Sequence, residues 1–284
     1  MISKDTKIAI IGLGVLGGSY AQALSAAGCD RITGIDIDES SVQTAQEYGW
    51  ISGGGSDPAL VRDADLVISC LYPHVFVEWI RANQNYLKSG CLLSDVTGVK
   101  RVVIKEINEI LRSDVEFIAC HPMAGREYKG IKYADAGRFK GANFIIVPTE
   151  ANSQSAIETA RNLAEEMQFA RISVLSPQEH DHMVGFLSQL THVIAVSLMN
   201  TSDNTHLASY TGDSFRDLTR IAKINEDMWP ELFVLNKDYL IEEIDAFIAE
   251  TEAFKELIQT EDIEGMKEKM ILSTKRRAAF DRKD

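Results

Sequence analysis

The sequence predicts an α/β protein in which a doubly wound parallel sheet is followed by an all-α C-terminal domain. Three observations carry this expectation. Short apolar runs alternate with helical stretches of about ten residues as far as residue 174. Glycines follow the first apolar run directly. Beyond Ser176-Pro177, which reads as an N-cap with proline at N1, strand patterns stop and long helical periodicities begin.

Lys7–Ile11 (KIAII) suits a strand buried on both faces. Leu16–Ala27 is a small-residue helix ended by Gly28, a natural C′ residue. Arg31–Ile35 is a second strand, and Ser40–Tyr48 a helix closed by Gly49. Leu66–Cys70 and Cys91–Asp95 are buried strands, with helices near Val75–Gln84 and Val99–Leu111. Glu116–Cys120 and Asn143–Val147 are further strands, the latter stopped by Pro148. A helix over Ser153–Met167 leads to a last strand near Ala170–Val174. Parallel pairing follows from the alternation. Residues 178–284 give helices such as Met183–Asn200 and Lys237–Gln259. The expected domains are therefore 1–172 and 173–284. The helical part has broad apolar faces that need a partner surface, either the sheet domain or a second copy.

Composition narrows the partners. The 284 residues carry 42 acidic against 29 basic side chains, a net charge of −13. That surplus argues against non-specific nucleic-acid binding and against an anionic membrane surface. No apolar run is expected to approach the ~18 residues of a membrane span, and a strand beginning at Lys7 leaves no room for a signal peptide. Cys29, Cys70, Cys91 and Cys120 have no metal-hook spacing and read as buried, reduced thiols. The expectation is a cytoplasmic protein without a metal site.

Gly12-Leu13-Gly14-Val15-Leu16-Gly17 matches G-x-G-x-x-G, with a strand before it and a helix after it. Gly12 permits the tight turn, Gly14 lets backbone approach a pyrophosphate, and Gly17 lets helix pack on strand. Val15 and Leu16, opening the helix, offer unpaired N–H groups to the phosphates. Asp36 stands at the end of the second strand, where its carboxylate accepts from the ribose hydroxyls of NAD and repels the 2′-phosphate of NADP. The domain is thus of the Rossmann type, with NAD as cofactor.

Ligands in such sheets bind beyond the carboxyl ends of the strands. Cys70-Leu71-Tyr72 would wall the nicotinamide, and Thr97 follows the strand ending at Asp95. His121 is the best-placed titratable group, able to take a proton from a hydroxyl as hydride leaves the same carbon. In the helical part, Gln189 and His192 share a helix face. His180 and His182 lie two apart and so point away from each other, which suits solvated or capping roles. Arg216 and Arg220 lie one turn apart. Arg220 can hold a carboxylate bidentately, although Asp213 and Asp217 are near enough to make surface pairs instead.

Taken together, these residues resemble the prephenate dehydrogenase family of tyrosine biosynthesis, whose siblings are the arogenate and cyclohexadienyl dehydrogenases. The resemblance covers nearly the whole chain. It is carried by Gly12–Ser19, Asp95-Val-Thr-Gly-Val-Lys100, His121-Pro-Met-Ala-Gly125, Gln189-Leu-Thr-His192, and Asp217-Leu-Thr-Arg-Ile-Ala222 with Met228-Trp229. It implies an NAD-dependent oxidative decarboxylation of a cyclohexadiene dicarboxylate. His121 would accept the ring-hydroxyl proton, Arg220 would bind a substrate carboxylate, and His192 and Gln189 would line the pocket. It also implies a homodimer formed through the helical domain.

The chain departs from the family pattern at three places. Gly98 stands where a serine often helps orient the substrate hydroxyl and the histidine, and the neighbouring Thr97 is the candidate to supply that hydroxyl. Gln189 replaces a histidine. Arg126 follows the His-Pro-Met-Ala-Gly element, where a small hydroxyl residue is common. Arg126 favours a dianion such as prephenate, whereas Glu127 would welcome the amino group of arogenate. Prephenate is the expected substrate and arogenate the alternative. A 3-hydroxyacid dehydrogenase or an imine reductase would carry a helical-domain lysine as its acid. A non-catalytic NAD-binding sensor would need the glycine motif and Asp36, but not His121, His192 and Arg220 together.

Overall fold

Alternating apolar side chains in β1 (Ile8–Ile11) point to opposite faces, so Ile8 and Ile10 enter one core layer while Ala9 and Ile11 enter the other. This computed structural model describes residues 2, 4–125 and 128–280. Around β1 are β2 (Ile32–Ile35), β3 (Gly53–Gly55), β4 (Leu66–Ser69), β5 (Leu92–Asp95), β6 (Glu116–Pro122), β7 (Asn143–Val147) and β8 (Arg171–Val174). They form one sheet in the order β3-β2-β1-β4-β5-β6-β7-β8. The order reverses at β1, which pairs in parallel with both β2 and β4. A crevice opens there beyond the strands' carboxyl ends.

Helices cover both faces. One layer takes α1 (Val15–Ala26), α2 (Glu39–Glu47) and α5 (Gln154–Glu166). The other takes α3 (Pro73–Asn83) and α4 (Arg101–Ile110), whose Phe76, Val77, Ile80, Val103, Ile104 and Ile107 are buried. At about 25 cal/mol per Å² of apolar surface removed from water, these two layers supply most of the drive to fold.

Two features differ from the sequence expectation. The sheet is not wholly parallel, because β7 runs antiparallel to β6. The chain between them makes short 3-10 turns (Ile131–Tyr133 and Ala136–Gly141) rather than a crossover helix, so it re-enters from the end it left. β8 then pairs in parallel with β7 after α5. The edge strand β3 is three glycines, a composition depleted in strands. A Cβ at Gly54 would lie 2.3 Å from the Gly34 carbonyl oxygen, so only glycine lets this backbone approach β2.

The sheet gives way to helices between β8 and α6 (Pro177–Val184), so the expected boundary at 172/173 falls inside β8. The capping box there is complete: Ser176 Oγ accepts from the Glu179 N–H at 3.2 Å, and Glu179 Oε2 accepts from the Ser176 N–H at 2.9 Å. A π-helical turn (Gly185–Leu190) leads into α7 (Thr191–Asn200), followed by α8 (Asp213–Thr219) and α9 (Trp229–Leu235). The compact units nevertheless divide later, into Met1–Asn236 and Lys237–Asp284. The reason is packing: Leu232 is buried in the α3–α4 layer, with Met228, Trp229 and Leu235 against it. The run Pro177–Asn200 is, by length and composition alone, long and apolar enough to cross a membrane, contrary to the expectation of no such segment. It also carries buried His180, Asp181 and Gln189.

The second unit is a helical hairpin of α10 (Lys237–Gln259) and α11 (Ile263–Arg277). Asp262 caps α11 through the Gly265 N–H, and Lys269 Nζ lies 2.7 Å from Glu250 Oε1 across the pair. Phe247, Ile248, Ile258, Met270, Ile271 and Leu272 are exposed.

Candidate active site

The glycine loop is shaped by contacts that only glycine allows. Gly12 has φ +87°, and a Cβ on Gly17 would fall 1.8 Å from the Gly12 carbonyl oxygen. At Gly14 a Cβ would meet nothing within 4 Å, so the loop leaves open space where a pyrophosphate approaches. Gly14 is the N-cap of α1 and brings no side-chain cap, so the N–H groups of Val15, Leu16 and Gly17 face outward without an intrahelical acceptor. Asp36 Oδ2 accepts from the Leu13 N–H at 2.6 Å, and Oδ1 accepts from the Asp38 N–H at 2.9 Å. Each oxygen keeps a further lone pair for a ribose hydroxyl. Asp38, not Asp36, caps α2. Leu71 lies against this loop, 3.0 Å from where a Gly12 Cβ would stand. Tyr72 Oη accepts from Asn225 Nδ2 at 2.9 Å, joining the segment after β4 to the loop before α9. The Cys70 thiol is held protonated, because burial and then the Asp95 charge push its pKa up. These residues fit a bound dinucleotide.

Beneath the site sits a buried ion pair. Asp95 ends β5 and Lys100 precedes α4, and neither side chain is exposed. Lys100 Nζ donates to Asp95 Oδ2 (2.7 Å), the Cys120 carbonyl (2.6 Å) and Thr97 Oγ1 (3.2 Å), so all three ammonium protons are used. Asp95 Oδ1 accepts from the Cys120 N–H at 3.1 Å. The pair ties β5 to β6 just behind His121, and removing either partner would leave a buried charge at a cost of about 3–5 kcal/mol. Thr97 belongs to this cluster. Its hydroxyl lies against Asp95 and 3.0 Å from the Val99 carbonyl, almost wholly buried. The expectation that Thr97 serves substrate or cofactor is therefore corrected: its side chain turns inward and braces Asp95.

His121 stands at the carboxyl end of β6, half-buried. Its pKa is held well below the ordinary imidazole value by burial first, then by His180 and Lys100. Nδ1 lies 2.8 Å from His180 Nε2, and His180 Nδ1 lies 2.8 Å from Asp181 Oδ1. His180 and Asp181 are fully buried, which overturns the expected solvated or capping role for His180. His182 is exposed. Burial pushes Asp181 up, yet hydrogen bonds from His180 and the Arg101 and Lys100 backbone outweigh it, leaving its pKa lowered. On the other side, a Cβ at Gly98 would lie 4.0 Å from His121 Nε2 and 3.5 Å from Leu232 Cδ1. The face of the base toward Gly98 is thus roofed by α9.

His192 joins this wall through α9. Its ring lies on Trp229, with centroids 3.7 Å apart, and its Nδ1–H donates to the Ser188 carbonyl at 2.8 Å. Gln189 has a different place from the one expected. Its Nε2 donates to the Leu232 carbonyl at 2.9 Å, and its Oε1 accepts from Asn236 Nδ2 at 2.8 Å. The amide is spent on holding α9 to the π-helical turn rather than offered to a ligand. Arg220, itself exposed, opens a turn (Arg220–Ala222) that packs against α7, the helix carrying His192. Arg216 makes the surface pair its spacing allows, to Asp213 Oδ1 (3.1 Å) and the Thr211 carbonyl (3.0 Å). Arg126 and Glu127 lie outside the described residues.

Reading along the chain missed His180, Asp181, Asp95 and Lys100 as site residues. A signal was present: Ser176 and Glu179 fix the helix start, which puts His180 and Asp181 on its first turn beside the end of the sheet.

Comparison with known proteins agrees along the chain. Residues 20–174 match the nucleotide-binding domain of prephenate dehydrogenase, and residues 176–272 match its dimerization domain. The prephenate dehydrogenase of Bacillus subtilis is 29% identical over 93% of this chain and 72% of its own length. The cyclohexadienyl dehydrogenase of Zymomonas mobilis is 30% identical over 96% of this chain and 95% of its own. A crystal structure of prephenate dehydrogenase from Aquifex aeolicus, in complex with hydroxyphenyl propionate and NAD+, superposes with a TM-score of 0.89 at 28% identity, covering 99% of each chain.

Proposed function

Because the chain belongs to the prephenate dehydrogenase family, we propose that it oxidatively decarboxylates prephenate to 4-hydroxyphenylpyruvate with NAD. The observation that carries this reading is His121 at the strand end, its pKa lowered by burial and its Nε2 4.0 Å from where a Gly98 Cβ would stand. NAD, when bound, supplies the hydride acceptor. The glycine loop and the start of α1 hold its pyrophosphate, and Asp36 its adenosine ribose. His121 Nε2 takes the ring-hydroxyl proton as hydride leaves the same carbon. The bond to the ring carboxylate then breaks. Its electron pair aromatises the ring, carbon dioxide departs, and the phenolate oxygen takes a proton.

Arg220 and His192 serve the substrate side, Arg220 as the partner of a carboxylate and His192 as a ring held in place by Trp229 and Ser188. Arg126 adds a second cation for a dianion. The match of residues 176–272 to a dimerization domain, with the exposed apolar residues of α10 and α11, supports a homodimer through the helical half, 173–284. We place the enzyme in the cytoplasm, where NAD and its small-molecule substrate are dissolved.

The test is a steady-state panel of prephenate and arogenate, each with NAD and NADP. The expected order puts prephenate with NAD first. Faster turnover of arogenate would favour the second reading, to which the cyclohexadienyl relative also points. NAD binding without turnover of either substrate would leave a sensor.

A further inference from the structure

We infer that His180 and Asp181 are positioning residues that hold the proton of His121 on Nδ1 and leave Nε2 bare toward the substrate hydroxyl. The inference deepens the assignment of His121 as base and rests on it. Its starting point is the far end of the chain of contacts. Asp181 Oδ1 accepts from the Lys100 N–H at 2.8 Å, and Oδ2 accepts from the Arg101 N–H at 2.9 Å and from Arg101 Nε at 3.3 Å. Backbone amides and guanidinium can only donate, so Asp181 is an anion seated at the start of α4. His180 Nδ1, 2.8 Å away, must then donate to it. Burial keeps His180 neutral, outweighing the pull of Asp181. Its Nε2 therefore holds a lone pair and must accept from His121 Nδ1 at 2.8 Å. His121 has no freedom left: its remaining nitrogen, Nε2, is the bare one.

The other charged groups around the histidine pair pull both ways, Asp95 and Asp181 favouring a cation on His180 and Lys100 opposing it, and burial tips the balance to the neutral ring. Lys100 and Arg101 precede and open α4, Asp95 ends β5, and the Lys100 ammonium disfavours a second cation on His180. When Nε2 takes a proton, the Nδ1–H to His180 stays as it was, so no rearrangement accompanies the transfer. In this chain the position able to orient the base from the front is Gly98, which has no hydroxyl, and Thr97 is turned inward. Orientation from behind by His180 and Asp181 replaces it.

The test has two parts, both on the full-length protein with NAD. Nitrogen-15 NMR of histidine side chains, assigned with His121→Asn, reads the tautomer without needing turnover. A neutral His121 protonated on Nδ1 is expected, and a proton on Nε2 would overturn the inference. Asp181→Asn keeps the shape but removes the anion, together with one of the two oxygens that accept at the start of α4. It should lower kcat about tenfold or more, leave KM and NAD affinity close to wild type, and move the acid limb of the kcat profile to lower pH as the imidazolium loses its counter-ion. An unmoved limb and unchanged kcat, with only a lower melting temperature, would reduce Asp181 to a structural cap. Failure of wild-type protein to turn over any substrate would instead sink the functional reading, and the tautomer would remain readable.

Discussion

At the scale of single residues, the site separates side chains that face chemistry from those that hold them. His121 is proposed for the first group. His121→Asn should lower kcat by roughly two orders of magnitude or more while NAD affinity, read by cofactor fluorescence titration, stays unchanged. The direction of its pKa sets the pH dependence. Burial, then His180 and Lys100, hold the imidazole neutral below the ordinary value of about 6.5. A base is lost as pH falls through its own pKa, so kcat/KM should stay level through about pH 6.5 and decline only at lower pH. Gln189 belongs to the second group. Gln189→Leu strips partners from the buried Asn236 amide and the Leu232 carbonyl. It should cost about 1–3 kcal/mol in chemical denaturation. A raised KM at unchanged stability would restore Gln189 to the substrate pocket.

At the scale of elements, most of the sheet was legible because buried strands and amphipathic helices write different periods into the sequence. β1, β2, β4, β5, β6, β7 and β8 stand within a residue or two of their expected ranges. β3 was not legible, since three glycines carry no side-chain pattern at all. The reversal at β7 was hidden because 3-10 turns leave no periodicity by which to tell a return from a crossover. In the candidate site, the places of Gly12, Gly14, Gly17, Asp36, His121 and His192 were legible from motif and position, and the roles proposed for them rest on those places. Thr97 and Gln189 were placed on the right elements, but the direction of a short side chain depends on partners distant in sequence, here Asp95 and Asn236. His180 and Asp181 were hidden by the same limit, since helical spacing tells which residues share a face but not what that face meets. The glycine loop offers a prediction of its own. Gly14→Ala enters open space at φ −71°, which any residue adopts. Thermal stability should fall by about 1 kcal/mol or less, while NAD affinity falls because the methyl occupies the approach of the pyrophosphate. An equal loss of both would mean that the loop, not the ligand, needs the glycine.

At the scale of the whole molecule, the net charge of −13 is a surface property that coexists with a pocket proposed to gather His121, His192, Arg126 and Arg220. A negative protein can bind a dianion when its cations are local and partly desolvated. The apolar residues on α10 and α11 call for a covering surface, and the proposed occupant is a second copy. Native mass spectrometry should give twice the 31.5 kDa chain mass, and Ile271→Glu should shift the population toward monomer. A wild-type monomer would remove the dimer.

The proposed reaction joins a base, a hydride acceptor and a departing carboxylate in one site. The most direct measurement is therefore stoichiometry: purified protein, limiting prephenate and excess NAD, with reduced cofactor, carbon dioxide and 4-hydroxyphenylpyruvate quantified together. One of each is expected per prephenate consumed. Product or carbon dioxide without reduced cofactor, or no reaction at all, would contradict it.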